Sequence, residues 1–363
     1  MKFRCERDVL VDALGAASRA ATSRAALPVL SGLRLHLRGD ELQITGSDLD
    51  LTITKTLQVA GADDGVVVLP AKLAVDIVRN LEPGGVELDT TGDRPSIRAG
   101  RSEFFLNAIP ADEYPTPHEP DGESVTLESG HLAEGLRQVV GAASSDESRP
   151  ILTGVLLAAE DDGLRLVSTD SYRLAFRDLP GTSLLQQGQQ VLVPSRSLQE
   201  LTRALSDDDH VTLVLSDQMV SFSVGDLHLS TRLIKGDFPD YQKLIPTDMP
   251  NELTVERQTL TDAIRRVRLM ARENSPIRMT MGPDGLELRA ITQDVGEAVE
   301  QLDAKYEGAE LTVAFNPEYL MDGLEVTGSD EVVLQTRDAQ RPAVLRSTDG
   351  NDFLYLLMPV RVS

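Results

Sequence analysis

Pro28-Val29-Leu30-Ser31-Gly32 returns 122 residues later as Pro150-Ile151-Leu152-Thr153-Gly154. At the same spacing and without a gap, Leu42 meets Leu164, and Asp48 of Thr45-Gly46-Ser47-Asp48 meets Asp170 of Val167-Ser168-Thr169-Asp170. Read backwards, Leu10 and Leu14 meet Leu132 and Leu136, four residues apart as on one face of a helix. A fainter third copy keeps the order: Leu260 and Ile264, then Ser275-Pro276-Ile277, Gly285-Leu286-Glu287-Leu288 and Thr292-Gln293-Asp294. A period this long makes each copy a packing unit of its own and so decides the architecture before any motif does. The 363 residues are also too many for one ordinary core.

The copies meet at two turn-rich stretches, Pro115-Thr116-Pro117-His118-Glu119-Pro120-Asp121-Gly122 and Pro246-Thr247-Asp248-Met249-Pro250-Asn251. Domains are therefore expected over 1–120, 121–248 and 249–363. Each reads as α+β: a short strand, a helix, alternating strands such as Leu33-Arg34-Leu35-His36-Leu37, a second helix, then strands ending in a hairpin. Pro70, Pro194 and Pro317 are expected to open the second helices, where a missing N–H costs nothing. The expected apolar stripes are Leu73, Ile77 and Leu81 in the first copy, and Leu198, Leu201 and Leu205 in the second.

Composition narrows the function. With 41% hydrophobic and 26% charged residues the chain is globular, and its net charge of −23 repels nucleic acid at long range, which excludes a uniformly basic DNA-binding domain. The single cysteine, Cys5, excludes a disulfide framework or a thiolate metal cluster. The five histidines are scattered without an i, i+4 pair, so neither a metal nor a cofactor is expected. No export signal or membrane-length apolar run is visible, which points to the cytoplasm and to no membrane partner.

Against this acidic background, Lys72 and Arg79 lie on one side of the first copy's second helix and recur, 124 residues on, as Arg196 and Arg203. Arg137 and Arg265 add to the basic residues of the other predicted helices. A modest positive field confined to helices suits a surface that meets phosphate weakly. Only 4% of residues are aromatic and Trp is absent, so stacking on splayed bases is excluded as the main mode, leaving duplex backbone.

The residues resemble a known family, the bacterial sliding clamp, which is the β subunit of DNA polymerase III. The resemblance spans essentially the whole chain. It rests on Met1-Lys2-Phe3, Leu27-Pro28-Val29-Leu30, Ser168-Thr169-Asp170-Ser171-Tyr172-Arg173-Leu174-Ala175, Phe238-Pro239-Asp240-Tyr241 and Met358-Pro359-Val360-Arg361, in that order on a threefold repeat.

What the resemblance implies is a homodimer closed head to tail into a ring of six like domains around double-stranded DNA, with helices lining the hole and no sequence readout. It also implies a pocket for short linear peptides of the replicative polymerase, clamp loader and repair proteins. The implied pocket residues are Leu152, Thr169, Tyr172, Arg173, Leu174, Pro239, Lys243, Leu244, Met358, Pro359, Val360 and Arg361, with Asn316 and Tyr319 at the rim. Arg173 is expected to anchor a peptide carboxylate or carbonyl. The implied ring contact sets Phe104 and Leu106 against Leu269 and Met270, with Arg101 near Glu297 or Glu300, and Glu103 stands where a basic residue is expected. DNA contact carries over to Arg24 and to Arg149 in the equivalent loop of the second copy. The implied location is cytoplasmic and nucleoid-associated.

An enzyme is a weaker reading. Ser168-Thr169-Asp170 lacks a Gly-x-Ser-x-Gly elbow and repeats Asp48 as punctuation, and no phosphate-binding Gly-x-x-x-x-Gly-Lys-Ser/Thr occurs. The competing binding class is an acidic peptide-docking scaffold without DNA encirclement, which would not need the repeated basic pairs.

Overall fold

The structure is a computed structural model that describes residues 1–22, 27–206, 210–271, 275–293, 295–350 and 352–361. The described residues form six α-helices: α1 (Arg7–Ser18), α2 (Ala71–Asn80), α3 (Ser129–Val139), α4 (Ser195–Ala204), α5 (Arg257–Val267) and α6 (Pro317–Val326). They sit in three like copies, each a strand, a helix, three strands, one further strand (two in the first and third copies), a second helix and three strands. The α+β class and the order of elements are those the repeat predicts. All strand pairs are antiparallel, for example Arg34↔Thr45 and Arg165↔Ala158.

The copies do not keep their sheets to themselves. The first unit, Met1–Gly130 with Arg203–Leu233, holds an eight-stranded sheet in which Leu227–Arg232, the last strand of the second copy, pairs with Leu51–Gln58, the third strand after α1 of the first copy. The second unit, His131–Thr202 with Ile234–Ser363, holds a nine-stranded sheet built by the same rule, its Phe353–Leu357 strand pairing with Arg173–Pro180. Each unit also has a smaller sheet. One has five strands and ends on Ser102–Phe105; the other has four and ends on Gly296–Leu302.

The segment after the last strand of each copy turns back along the strand before its second helix. Ile109 N–H donates to Val68 O at 2.9 Å, Ile234 N–H to Leu192 O at 2.9 Å, and Val360 N–H to Ala314 O at 2.8 Å. These bonds cover sheet edges whose N–H and C=O groups would otherwise be open to stray pairing. The C-terminal tail is thus the third member of a series whose first two members are interdomain linkers.

The first core packs Leu10, Ala13, Leu14 and Ala17 of α1 onto Leu33, Leu35, Leu42 and Ile44. The expected α2 stripe holds at Leu81, which is buried in the core, and fails at Leu73. Leu73 is 49% exposed and Ile77 half-buried, whereas Ala71, Ala74, Val75 and Val78 face the core. Both stripes fit helical spacing, but Leu73 shares its face with Lys72, Asp76, Arg79 and Asn80, and burying it would drag charges out of water. In α4 the expectation holds for the buried Leu198 and Leu201, while Leu205 lies past the helix and is half-buried. The proline expectation holds only in the third copy. Pro70 and Pro194 end the strands Gly65–Pro70 and Gln190–Pro194, one residue before their helices, whereas Pro317 is the first helical residue.

Candidate functional site

The sequence Ser168-Thr169-Asp170-Ser171-Tyr172-Arg173 closes a tight turn in the second unit. Asp170 Oδ1 accepts from Tyr172 N–H at 2.8 Å and Arg173 N–H at 3.0 Å, which satisfies backbone donors that the turn would otherwise orphan. The first copy does the same: Asp48 Oδ1 accepts from Asp50 N–H at 3.1 Å and Leu51 N–H at 2.8 Å. Leu49 and Ser171 both stand at φ 82°, in the left-handed region, so the two turns are duplicates in backbone as well as in sequence. Ser168 is buried with its hydroxyl on the Val139 carbonyl. These bonds give Ser168 and Asp170 structural roles.

The turn pushes Tyr172 out to 58% exposure and its neighbour inward. Arg173 is held from within the chain. Its Nε donates to Asp170 Oδ2 at 3.0 Å, and its Nη1 donates to an Asp322 carboxylate oxygen and to Tyr355 Oη, the latter at 3.3 Å. Its guanidinium lies over the Tyr319 ring, 4.5 Å from the centroid. Tyr319 stacks in turn on Tyr172, with centroids 6.3 Å apart and planes 25° from parallel. The Nε and Nη1 donors of Arg173 are taken up within the chain, and its guanidinium backs the stacked rings of Tyr319 and the exposed Tyr172.

The other expected pocket residues divide into supports and surface. Leu174 belongs to a core cluster with Leu156, Phe176, Leu354 and Leu356. Thr169 is buried, its hydroxyl donating to Arg173 O at 2.6 Å, and Leu152 is buried too. Thr169 ends one strand and Leu174 lies at the start of its neighbour, whereas Leu152 sits in the single turn Pro150–Thr153. Asn316 caps α6 by accepting from Glu318 N–H at 2.9 Å, which presents Tyr319 in the first turn. Met358, 40% exposed, donates its N–H to Tyr172 O at 2.8 Å, so the tail Met358-Pro359-Val360-Arg361 leaves the sheet beside the platform. Pro239, Lys243 and Leu244 are exposed on a segment that Phe238, Tyr241 and Ile245 pin to the same core, and Lys243 is paired with Asp240 at 2.5 Å. Sequence reasoning missed Asp322 and Tyr355. The signal for Asp322 is its place three residues after Tyr319 on α6, which puts both on one helix face.

Of the expected DNA contacts, Lys72, Arg79, Arg137, Arg196 and Arg203 are exposed on their helices. Arg265 is exposed but shared between Asp262 at 3.2 Å and Glu325 at 3.6 Å, which offsets its charge. Arg149 is held by Asp146 at 2.9 Å and Ser171 at 3.2 Å. Arg24 lies outside the described residues.

At the expected ring contact, Leu106 is a correction. It is 2% exposed and part of the first unit's core, and the aromatic side chains on the outermost strand Ser102–Phe105 are Phe104 and Phe105, both exposed. The outermost strand Gly296–Leu302 of the second unit carries exposed Val299, alongside exposed Ile291, Val295 and Leu269; Met270 is half-buried. The charges nearby are already paired within the chain: Glu103 with Arg98, Glu297 with Arg289 at 2.8 Å, and Glu300 with Arg266. Arg101 is exposed.

The family description "DNA polymerase III beta subunit" matches the chain in three successive parts: its N-terminal domain over residues 1–118, its central domain over 126–240 and its C-terminal domain over 242–361. The beta sliding clamp of Streptomyces coelicolor is 34% identical over 381 residues, covering 100% of both chains. That of Bacillus subtilis is 32% identical over 376 residues, covering 99% of this chain and 100% of its own. The crystal structure of the Bacillus subtilis DNA polymerase sliding clamp superposes with a TM-score of 0.88 at 31% identity over 100% of both chains. A Pseudomonas aeruginosa DnaN sliding clamp bound to griselimycin gives 0.89 at 28% identity, again over 100% of both.

Proposed function

The chain belongs to the beta sliding clamp family, the beta subunit of DNA polymerase III, and is a DNA sliding clamp, a processivity factor in DNA replication; we propose that it works as a head-to-tail homodimer that encloses duplex DNA and holds partner peptides at the Tyr172–Tyr319 platform. The observation that carries the assembly is the sheet rule. In each unit, the third strand after the first helix of one copy joins the last strand of the next. Among the described residues Gly296–Leu302, the third strand after α5, and Ser102–Phe105, the last strand of the first copy, make no such pair and remain as sheet ends. Set against each other between two chains, they extend the rule, joining four strands to five and covering Phe104, Phe105, Val299 and Leu269.

Enclosure changes what the DNA contact must do. A duplex that cannot leave sideways needs no tight grip, and a few exposed Lys and Arg side chains on helices suffice to keep it centred while it slides. Many fixed phosphate contacts would act as a brake. Domain limits of 1–120, 121–248 and 249–363 go with this reading, as does action in the cytoplasm at the nucleoid; no helix among the described residues is long and apolar enough to cross a membrane.

Sedimentation of the purified protein with and without DNA tests the proposal. The expected result is a dimer which, once loaded by its clamp loader, stays on a nicked circle through a salt wash and is lost after the circle is cut. Equal retention on cut and uncut DNA overturns enclosure, and a dimer that never becomes resistant on the circle favours a peptide-docking scaffold.

A further inference from the structure

We propose that Asp322 is a positioning residue for the platform, fixing Arg173 under Tyr319 so that the Tyr172–Tyr319 pair meets a ligand already in place. The inference rests on the peptide-site reading above and adds to it the residue that sets the site's rigidity. Arg173 has 11% of its side chain exposed and carries a charge that must be matched where it lies. Asp170 matches it from within its own turn, at 3.0 Å. Asp322 comes from α6, 149 residues away, and ties that turn to the helix that bears Tyr319.

Tyr355 completes the lock. Its hydroxyl donates to Tyr319 O at 2.9 Å and accepts from Arg173, so helix, turn and last strand meet at one guanidinium. Without the Asp322 carboxylate, Arg173 keeps Asp170 but loses the contact that draws it across the Tyr319 ring. Both rings then regain rotamer freedom that a ligand must remove on binding, at a cost to affinity. Asp322 is 48% exposed, so its replacement leaves the packing standing.

The experiment measures griselimycin binding by calorimetry to the full-length dimer. Asp322→Asn and Asp322→Ala are expected to weaken it at least tenfold, and Asp322→Glu to stay within about threefold of the unaltered protein. The chain contains no Trp, so tyrosine emission is read without interference; Asp322→Asn is expected to change it, and to add no change in a Tyr319→Phe background. Wild-type affinity in Asp322→Asn overturns the proposal, as does weakening that Asp322→Glu shares or that leaves tyrosine emission unaltered. Deletion of residues 358–363 separates the two readings. If the deletion abolishes binding while Asp322→Asn does nothing, only the positioning role fails; if the deletion leaves binding intact, the peptide-site reading fails and this inference with it.

Discussion

Gly46 lies on the strand Glu41–Ser47, where α1 crosses it, and a methyl group there would stand 2.0 Å from the Ala17 carbonyl oxygen. Gly46→Ala is therefore expected to cost about 1–3 kcal/mol through overpacking, read as a lower urea midpoint at unchanged slope. An unchanged midpoint would mean that α1 can lift off the sheet. Cys5 is half-buried, and burial pushes its thiol up to about 12. Stability tied to this proton is complete below the unfolded value of about 8.5 and is lost as the pH rises toward the folded one. Native protein at pH 8 should resist iodoacetamide that alkylates it rapidly in urea; equal rates would contradict the burial. The resemblance names Tyr172, Met358 and Arg173 together as pocket residues, and it is silent on what holds Arg173 in place. Its four partners come from Asp170, Tyr319, Asp322 and Tyr355, and no local pattern links positions 185 residues apart.

The outermost strands carry the assembly at the scale of elements. Replacing both Phe104 and Phe105 by Asp on Ser102–Phe105 is expected to give a folded monomer by sedimentation, because charges would have to be buried against the apolar Val299 and Leu269 of the partner edge. A persistent dimer would move the interface elsewhere. The resemblance implied Leu106 together with Phe104, and the two would share a face only if the strand ran on. The strand stops at Phe105, and the chain then turns so that Leu106 enters the core and its N–H donates to Pro95 O at 2.9 Å. For α2, helical periodicity was right about the element and about Leu81 and wrong about Leu73, because two stripes satisfy the period and only contact with the sheet chooses between them.

Charge is the variable that belongs to the whole molecule. At a net charge of −23 the protein repels duplex DNA at a distance, and the exposed Lys72, Arg79, Arg196 and Arg203 are the local exception. Reversing all four to Glu is expected to leave the dimer intact and to shorten its residence on circular DNA, most strongly at low salt, where unscreened repulsion reaches furthest. Clamp-dependent synthesis that is unchanged by the four reversals would show that these helix faces do not meet DNA.

The sequence by itself determined the threefold repeat, the order of elements within each copy, the acidic surface with its repeated basic pairs and the family. Those properties are carried by local spacing and by composition, which survive without knowing what touches what. Tertiary structure alone decided that the sheets cross from copy to copy, that the chain's first and last copies leave one strand end each, that Leu106 is core, and that Arg173 is spent inside the protein on Asp170, Asp322 and Tyr355. The reason is common to all four: each depends on hydrogen bonds or burial between segments far apart in the chain, and pairing partners at that distance leave no periodic trace in either of them.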